Sequence, residues 1–240
     1  MKYGIISVGC NCRKGVDAWY KSIVSQTEKD FSCVAVVDPS KDGTAERLTK
    51  LIGNDSRFLI IANNKNRGAA YNRFIASQKI NNRDAILMHL DLDDSFSGSR
   101  SIERVKIEYD QYGCWMTYGS YKTQKGDRGS ANKVIPNHIW KRNLHRKNKW
   151  STSALRTCKK WLWDKIEPKD FLMPDGSWVK RATDFACMFP MLEMSGQKRV
   201  RYIYDIIYLY NFHRFPKYDE YTNRVVAHLR SRKPYSTIPS

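Results

Sequence analysis

Apolar positions along the first ninety residues switch between two periods. Tyr3–Val8 is a short run rich in Ile and Val and reads as a strand. Val16, Trp19, Tyr20, Ile23 and Val24 then recur at i, i+3, i+4, i+7 and i+8, one face of a helix. Cys33–Val37 is a second strand. Ala45, Leu48, Leu51 and Ile52 mark a second helix, which Gly53-Asn54 closes. Phe58–Ala62 is a third strand, Gly68–Ile80 a third helix and Ala85–Leu90 a fourth strand. The strands lack polar alternation, and amphipathic helices separate them. That combination predicts a parallel sheet covered on both faces, with right-handed crossovers.

Past Asp94 the alternation of types fades. Ile102–Tyr112 reads as a helix and Cys114–Lys122 as a strand. A further helix is expected near Ala154–Lys165, and another over Lys180–Met194 that Pro190 should kink or end. Tyr202–Tyr210 is a late strand, and Tyr218–Arg232 a final helix. There is no repeat and no linker-like segment. The expected fold is α/β, one domain over 1–240 with a mostly parallel central sheet flanked by helices.

An apolar fraction of 41% in 240 residues is enough for a sizeable core. No apolar stretch reaches the roughly 18 residues of a membrane span. The start has neither the apolar stretch nor the cleavage site of a signal peptide. A soluble cytoplasmic protein is expected, and its oligomeric state is not readable. The six cysteines form no C-x-x-C pair and read as reduced, mostly buried thiols.

Charge changes the picture more. The net charge is +18, yet Arg128–Trp163 contains no Asp or Glu. That stretch carries Arg146, Lys147, Lys149, Arg156, Lys160 and other cations, with Trp140, Trp150, Trp161 and Trp163 interleaved. It is either a solvated basic face or a contact surface for a polyanion, with the aromatics as stacking platforms. Against this background "HLDLDDSF", His89–Phe96, concentrates three carboxylates where the fourth strand ends. Ligands of parallel sheets sit beyond the carboxyl ends of the strands. Gly9-Cys10-Asn11, the turn Asp38–Thr44, the turn Asn63–Gly68 and the acidic cluster all fall there.

These segments, in this order, resemble the family 2 glycosyltransferases of the GT-A fold. "VVDPSKDGTAERL" is similar to the family's turn after the second strand, "NNKNRGAAYNRFI" to its segment after the third, and "LMHLDLDD" to its D-x-D signature. "TDFACMFPMLEMSG" resembles the segment carrying the catalytic base, and "IYLYNFHR" the late strand ending in His-Arg. The matches cover about residues 3–215. Three departures stand out: Val37 occupies the first acidic position of the second segment, the usual Arg-Asn is Tyr71-Asn72-Arg73, and Thr183-Asp184 replaces Glu-Asp.

The resemblance implies an inverting transferase that uses a nucleotide diphosphate sugar, with UDP-glucose the expected donor. Residues 1–94 would bind the donor and 95–240 the acceptor. Asp91 and Asp93, two apart, share one face of an extended strand and could hold Mn²⁺ or Mg²⁺; the alternative is a solvated turn. Asp94 would support that pair or cap the next helix. Asp38 would bond the nucleotide base, unless it only bonds its own turn. Arg67 would face the base or ribose, or be a surface cation. Gly9 and Asn11 would line the first loop, the glycine letting a ligand approach the backbone. Asp184 is the candidate general base, with a plain helix-surface Asp as the alternative. His213 would be a third metal ligand or a structural histidine. Lys147, Lys149 and Trp150 would meet the acceptor; Trp178 would stack on a sugar or fill the core. A polyanionic acceptor accounts for the basic stretch. Duplex DNA carrying a hydroxymethylated pyrimidine, as in viral DNA glucosylation, is favoured over a phosphate-rich or lipid-linked glycan. A non-catalytic nucleic-acid-binding module is the reading from another class.

Overall fold

The computed structural model describes residues 2–129, 133–211 and 219–239. β1 (Tyr3–Gly9), α1 (Arg13–Val24), β2 (Phe31–Val37), α2 (Thr44–Ile52), β3 (Phe58–Ala62), α3 (Ala69–Gln78) and β4 (Ile86–His89) follow the predicted alternation closely. Local preference and burial agree here. Val16, Trp19 and Ile23 bury one stripe of α1, and Leu48 and Ile52 one stripe of α2. β1 pairs in parallel with β2 and β4, and β2 with β3. The carboxyl ends of four strands therefore share one edge, and the polar loops collect there.

The chain continues through β5 (Ser95–Phe96), α4 (Ser101–Tyr112), β6 (Met116–Thr123), α5 (Asn137–Lys141), β7 (Ser153–Lys159), α6 (Lys160–Trp163), α7 (Thr183–Ser195), β8 (Val200–Tyr210) and α8 (Glu220–Ser231). These strands complete one eight-stranded sheet, β3-β2-β1-β4-β7-β6-β8-β5. β7 runs antiparallel between β4 and β6, while β6 and β8 are parallel. One core cluster packs α1, α2 and α4 on one face of the sheet; the other packs α3, α7 and α8 on the opposite face.

Two expectations need correction. The predicted helix at Ala154–Lys165 is mostly strand: Ser153–Lys159 is β7, and only Lys160–Trp163 is helical. A central strand buried on both faces shows no alternation, so its apolar spacing also fits a helix. Pro190 neither ends nor shortens its helix, since α7 runs on to Ser195. Every residue from Phe185 to Ser195 is buried, and that burial offsets the hydrogen bond a proline removes.

The six cysteines are free thiols, all but Cys10 buried. Among the described residues no helix is long and apolar enough to cross a membrane.

Candidate active site

The site grows from the end of β4. Regular strand stops at His89, but Leu90 N–H donates to the Ile6 carbonyl at 3.0 Å and Leu92 N–H to the Val8 carbonyl at 3.1 Å. The chain thus stays beside β1 for three more residues. Leu90 and Leu92 are fully buried, while Asp91 and Asp93 are half-buried. The pleat predicted for a strand persists beyond the last regular strand residue, and a turn then closes with Asp94 N–H donating to the Asp91 carbonyl at 3.0 Å.

Two glycines fit this turn in place. A Cβ on Gly15 would lie 2.6 Å from Asp93 Cα, so the first turn of α1 packs directly on the Asp93 backbone. A Cβ on Gly9 would lie 2.5 Å from Cys12 Sγ and 2.9 Å from Leu92 Cβ. Gly9 therefore admits Cys12 and the acidic turn.

Burial, and then the neighbouring Asp91, raise the Asp93 pKa to about 6. Burial, and then Asp93 and Asp91, raise Asp94 to about 8. Asp94 accepts from Tyr208 Oη at 2.5 Å and from Asn211 N–H at 2.9 Å. It pins the end of β8 to the turn. It caps no helix, because α4 begins at Ser101 without a side-chain cap.

Two arginines organise the carboxylates. Arg73, from α3, donates Nη2 to Asp91 Oδ1 at 2.6 Å and Nη1 to Thr183 Oγ1 at 2.6 Å. Arg156, from β7, donates Nη2 to Asp184 Oδ2 at 3.0 Å. Asp184 lies in the first turn of α7, where the helix dipole favours a negative charge. One guanidinium thus bridges the acidic turn to the residue beside Asp184. His89 is buried with its ring 4.9 Å from Trp163. Burial, then Arg73 and Arg156, hold its pKa well below the usual imidazole range.

The donor-side loops are tied together by the predicted residues. Buried Asp38 accepts from Asn63 Nδ2 at 2.9 Å, Arg67 N–H at 3.0 Å and Gly68 N–H at 2.9 Å. Burial pushes its pKa up, but these bonds outweigh burial and hold it below the usual carboxylate value. The Arg67 guanidinium lies 5.1 Å from the Tyr71 ring centroid. Asn11, at φ 54°, donates its N–H to Ser40 Oγ at 2.9 Å and accepts from Lys41 N–H at 2.9 Å.

On the acceptor side, Lys147 and Lys149 are exposed, as are Arg128, Lys133, Lys141 and Arg142. The tryptophans also pack against the protein itself. Trp150 stacks on Phe185 at 4.0 Å, Trp163 is buried, and Trp178 packs on Tyr71, Phe74 and Phe171. Arg146 and Lys160 are also withdrawn from the basic face, paired with Glu193 and Asp164. Trp150 nevertheless brings the Lys147–Lys149 segment next to Asp184, through Phe185.

His213 lies outside the described residues, and no group of three or more His, Cys, Asp or Glu among the described residues is arranged to hold a metal. The chemistry of the donor set still suits a hard cation. Asp91 and Asp93 offer oxygen ligands, and Asp93 has no ion-pair partner among the described residues. Sequence reasoning missed Arg73 and Arg156 as site residues. Arg73 stood out only as an oddity of the third segment, and Arg156 only as one cation of the basic stretch.

Residues 5–166 match the family described as Glycosyl transferase family 2. No curated protein matches the chain. Among solved structures, S. aureus TarS 1–349 in complex with UDP is similar, with 17% identity, TM-score 0.65, and 88% of this chain and 61% of that chain covered. Its complex with UDP-GlcNAc aligns at 14% identity and TM-score 0.62, covering 97% and 62% of the two chains. Mannosyltransferase PcManGT from Pyrobaculum calidifontis, in complex with GDP-Man and Mn²⁺, aligns at 15% identity and TM-score 0.61, covering 98% and 66%. The chain thus spans between 37% and 61% of the length of the first three TarS chains it resembles.

Proposed function

The chain belongs to glycosyl transferase family 2, and from that premise we propose that it transfers a sugar, with inversion, from a nucleotide diphosphate sugar to a hydroxyl of a polyanionic acceptor. The observation that carries the reading is Arg73, whose guanidinium joins Asp91 to Thr183 and so sets Asp184 beside the acidic turn. Asp184 takes the proton from the acceptor hydroxyl as its oxygen attacks the anomeric carbon. The bond to the diphosphate breaks on the opposite side, so no covalent sugar–protein intermediate forms. Asp91 and Asp93 would hold Mn²⁺ or Mg²⁺, which, when bound, would neutralise charge on the departing diphosphate.

Asp38 and Arg67, linked at the mouths of β2 and β3, are assigned to the base and ribose of the donor. Gly9 and Asn11 shape the first loop around it. The UDP, UDP-GlcNAc and GDP-Man complexes of the similar structures support a nucleotide-sugar donor; UDP-glucose is the first donor to try. The test is hydrolysis of UDP-glucose with Mn²⁺, comparing the parent with Asp93→Asn. Turnover in the parent, lost in the variant, is expected. Equal turnover in both would remove Asp93 from the reaction.

For the acceptor, the exposed Lys147 and Lys149 beside Trp150, and the excess of +18, favour duplex DNA bearing a hydroxymethylated pyrimidine. That base would be flipped out to meet Asp184. Duplex DNA should bind with an affinity that falls steeply as salt rises, because phosphate contacts release counterions. A flat salt response in a binding titration would redirect the search to a glycan acceptor. Binding of DNA with no sugar turnover on any donor would favour a non-catalytic module.

A further inference from the structure

Asp184 does not stand alone, and its partner arrives by a route independent of α7. Arg156 lies on β7, where it pairs in register with His89 of β4, two residues before Asp91. The same antiparallel ladder therefore sets the acidic turn and the root of Arg156. The guanidinium is half-buried, 20% exposed, against 27% for the Asp184 side chain. It is steadied by an Nε bond to the Thr152 carbonyl at 3.4 Å and by the Trp150 ring, whose centroid lies 6.0 Å away. Nη2 holds Asp184 Oδ2 at 3.0 Å.

Resting on the transferase reading above, we infer that Arg156 is the positioning residue for the general base: it fixes Oδ2 and leaves Oδ1 as the oxygen that takes the proton. A carboxylate at the start of a helix can rotate about its Cβ–Cγ bond, and each orientation offers a different oxygen to the acceptor. One charge-assisted hydrogen bond from a rigid strand selects a single orientation. In the step itself, the acceptor O–H proton passes to Oδ1, the freed oxygen pair forms the bond to the anomeric carbon, and the electrons of the sugar–phosphate bond leave with the diphosphate. Arg156 touches none of these atoms. Arg73 donates to Asp91 and Thr183, and among the described residues it makes no hydrogen bond to Asp184. A lysine at 156 keeps the charge but offers a mobile point donor instead of a planar fork.

The test uses the full chain with Arg156→Gln and Arg156→Lys. In crystal structures, the Gln variant should show the Asp184 carboxylate turned from its parental rotamer, and the Lys variant should retain it. In UDP-glucose hydrolysis with Mn²⁺, kcat of the Gln variant should fall at least tenfold with the donor KM unchanged, and the Lys variant should recover part of the loss. A purely structural role would instead lower thermal stability and raise KM together. An unmoved Asp184 rotamer in the Gln variant, or parental kcat, would overturn the inference. A parent that hydrolyses no nucleotide sugar counts against the transferase reading alone, and the rotamer comparison then decides the role of Arg156 by itself.

Discussion

Asp184→Asn is expected to cut sugar transfer by about 10²–10⁴-fold, the usual contribution of a positioned general base. The amide is nearly isosteric and can still accept from Arg156, whose bond to Oδ2 is 3.0 Å long. What it loses is the capacity to take a proton. Donor affinity, measured calorimetrically with UDP-glucose and Mn²⁺, should change little, because Asp91, Asp93 and the Asp38 network are untouched. A KM effect without a kcat effect would demote Asp184 to a binding residue. An unchanged kcat would require another base, and with it another account of why Arg73 and Arg156 converge on this end of α7. The same variant separates enzyme from binding module: DNA affinity should survive the substitution even where transfer does not.

The second large effect concerns stability. Arg146 donates Nε to Glu193 Oε1 at 2.7 Å and Nη2 to Glu193 Oε2 at 2.9 Å, with the two side chains 4% and 0% exposed. A third donation, from Nη1, reaches the Leu229 carbonyl at 2.7 Å, and Glu193 also accepts from Tyr235 N–H at 2.9 Å. This network ties α7 to α8 and to the C-terminal segment. Glu193→Ala leaves a guanidinium buried without its partner, and the expected cost is about 3–5 kcal/mol, read as a lowered urea midpoint. Replacing both partners, as Arg146→Met with Glu193→Leu, should recover most of that loss, because two apolar groups of similar volume carry no desolvation penalty. A double variant no more stable than Glu193→Ala would mean that the bonds to Leu229 and Tyr235 matter more than the charge pair.

Some of this site could be read from the chain because short-range rules suffice there. The apolar periods of α1 and α2 and the mostly apolar runs of β1, β2 and β4, which lack polar alternation, report burial directly. The acidic turn and Asp184 lie in segments whose residue types follow the family pattern. Other parts depended on neighbours far away in sequence. Arg156 and Arg146 are both arginines of one basic stretch, ten residues apart. One grips the candidate base and the other is sealed in a buried pair; nothing local separates them. Nothing local shows that Trp150 and Trp178 pack against Phe185 and Phe171.

The sequence alone determined the order of strands and helices up to Asp94, the polar loops at the strand ends, the carboxylates at 91, 93 and 184, and the excess of positive charge. The elements, the loops and the charge follow from composition and from periods of two and 3.6 residues, which act over a few positions; the carboxylate at 184 stood out only through the resemblance to the family pattern. The tertiary structure decided that β7 enters the sheet antiparallel, that Asp94 clamps β8, and that Arg73 and Arg156 draw the distant carboxylates into one site. Those outcomes depend on which surfaces meet across gaps of tens of residues, where burial and charge pairing, not local preference, set the energy.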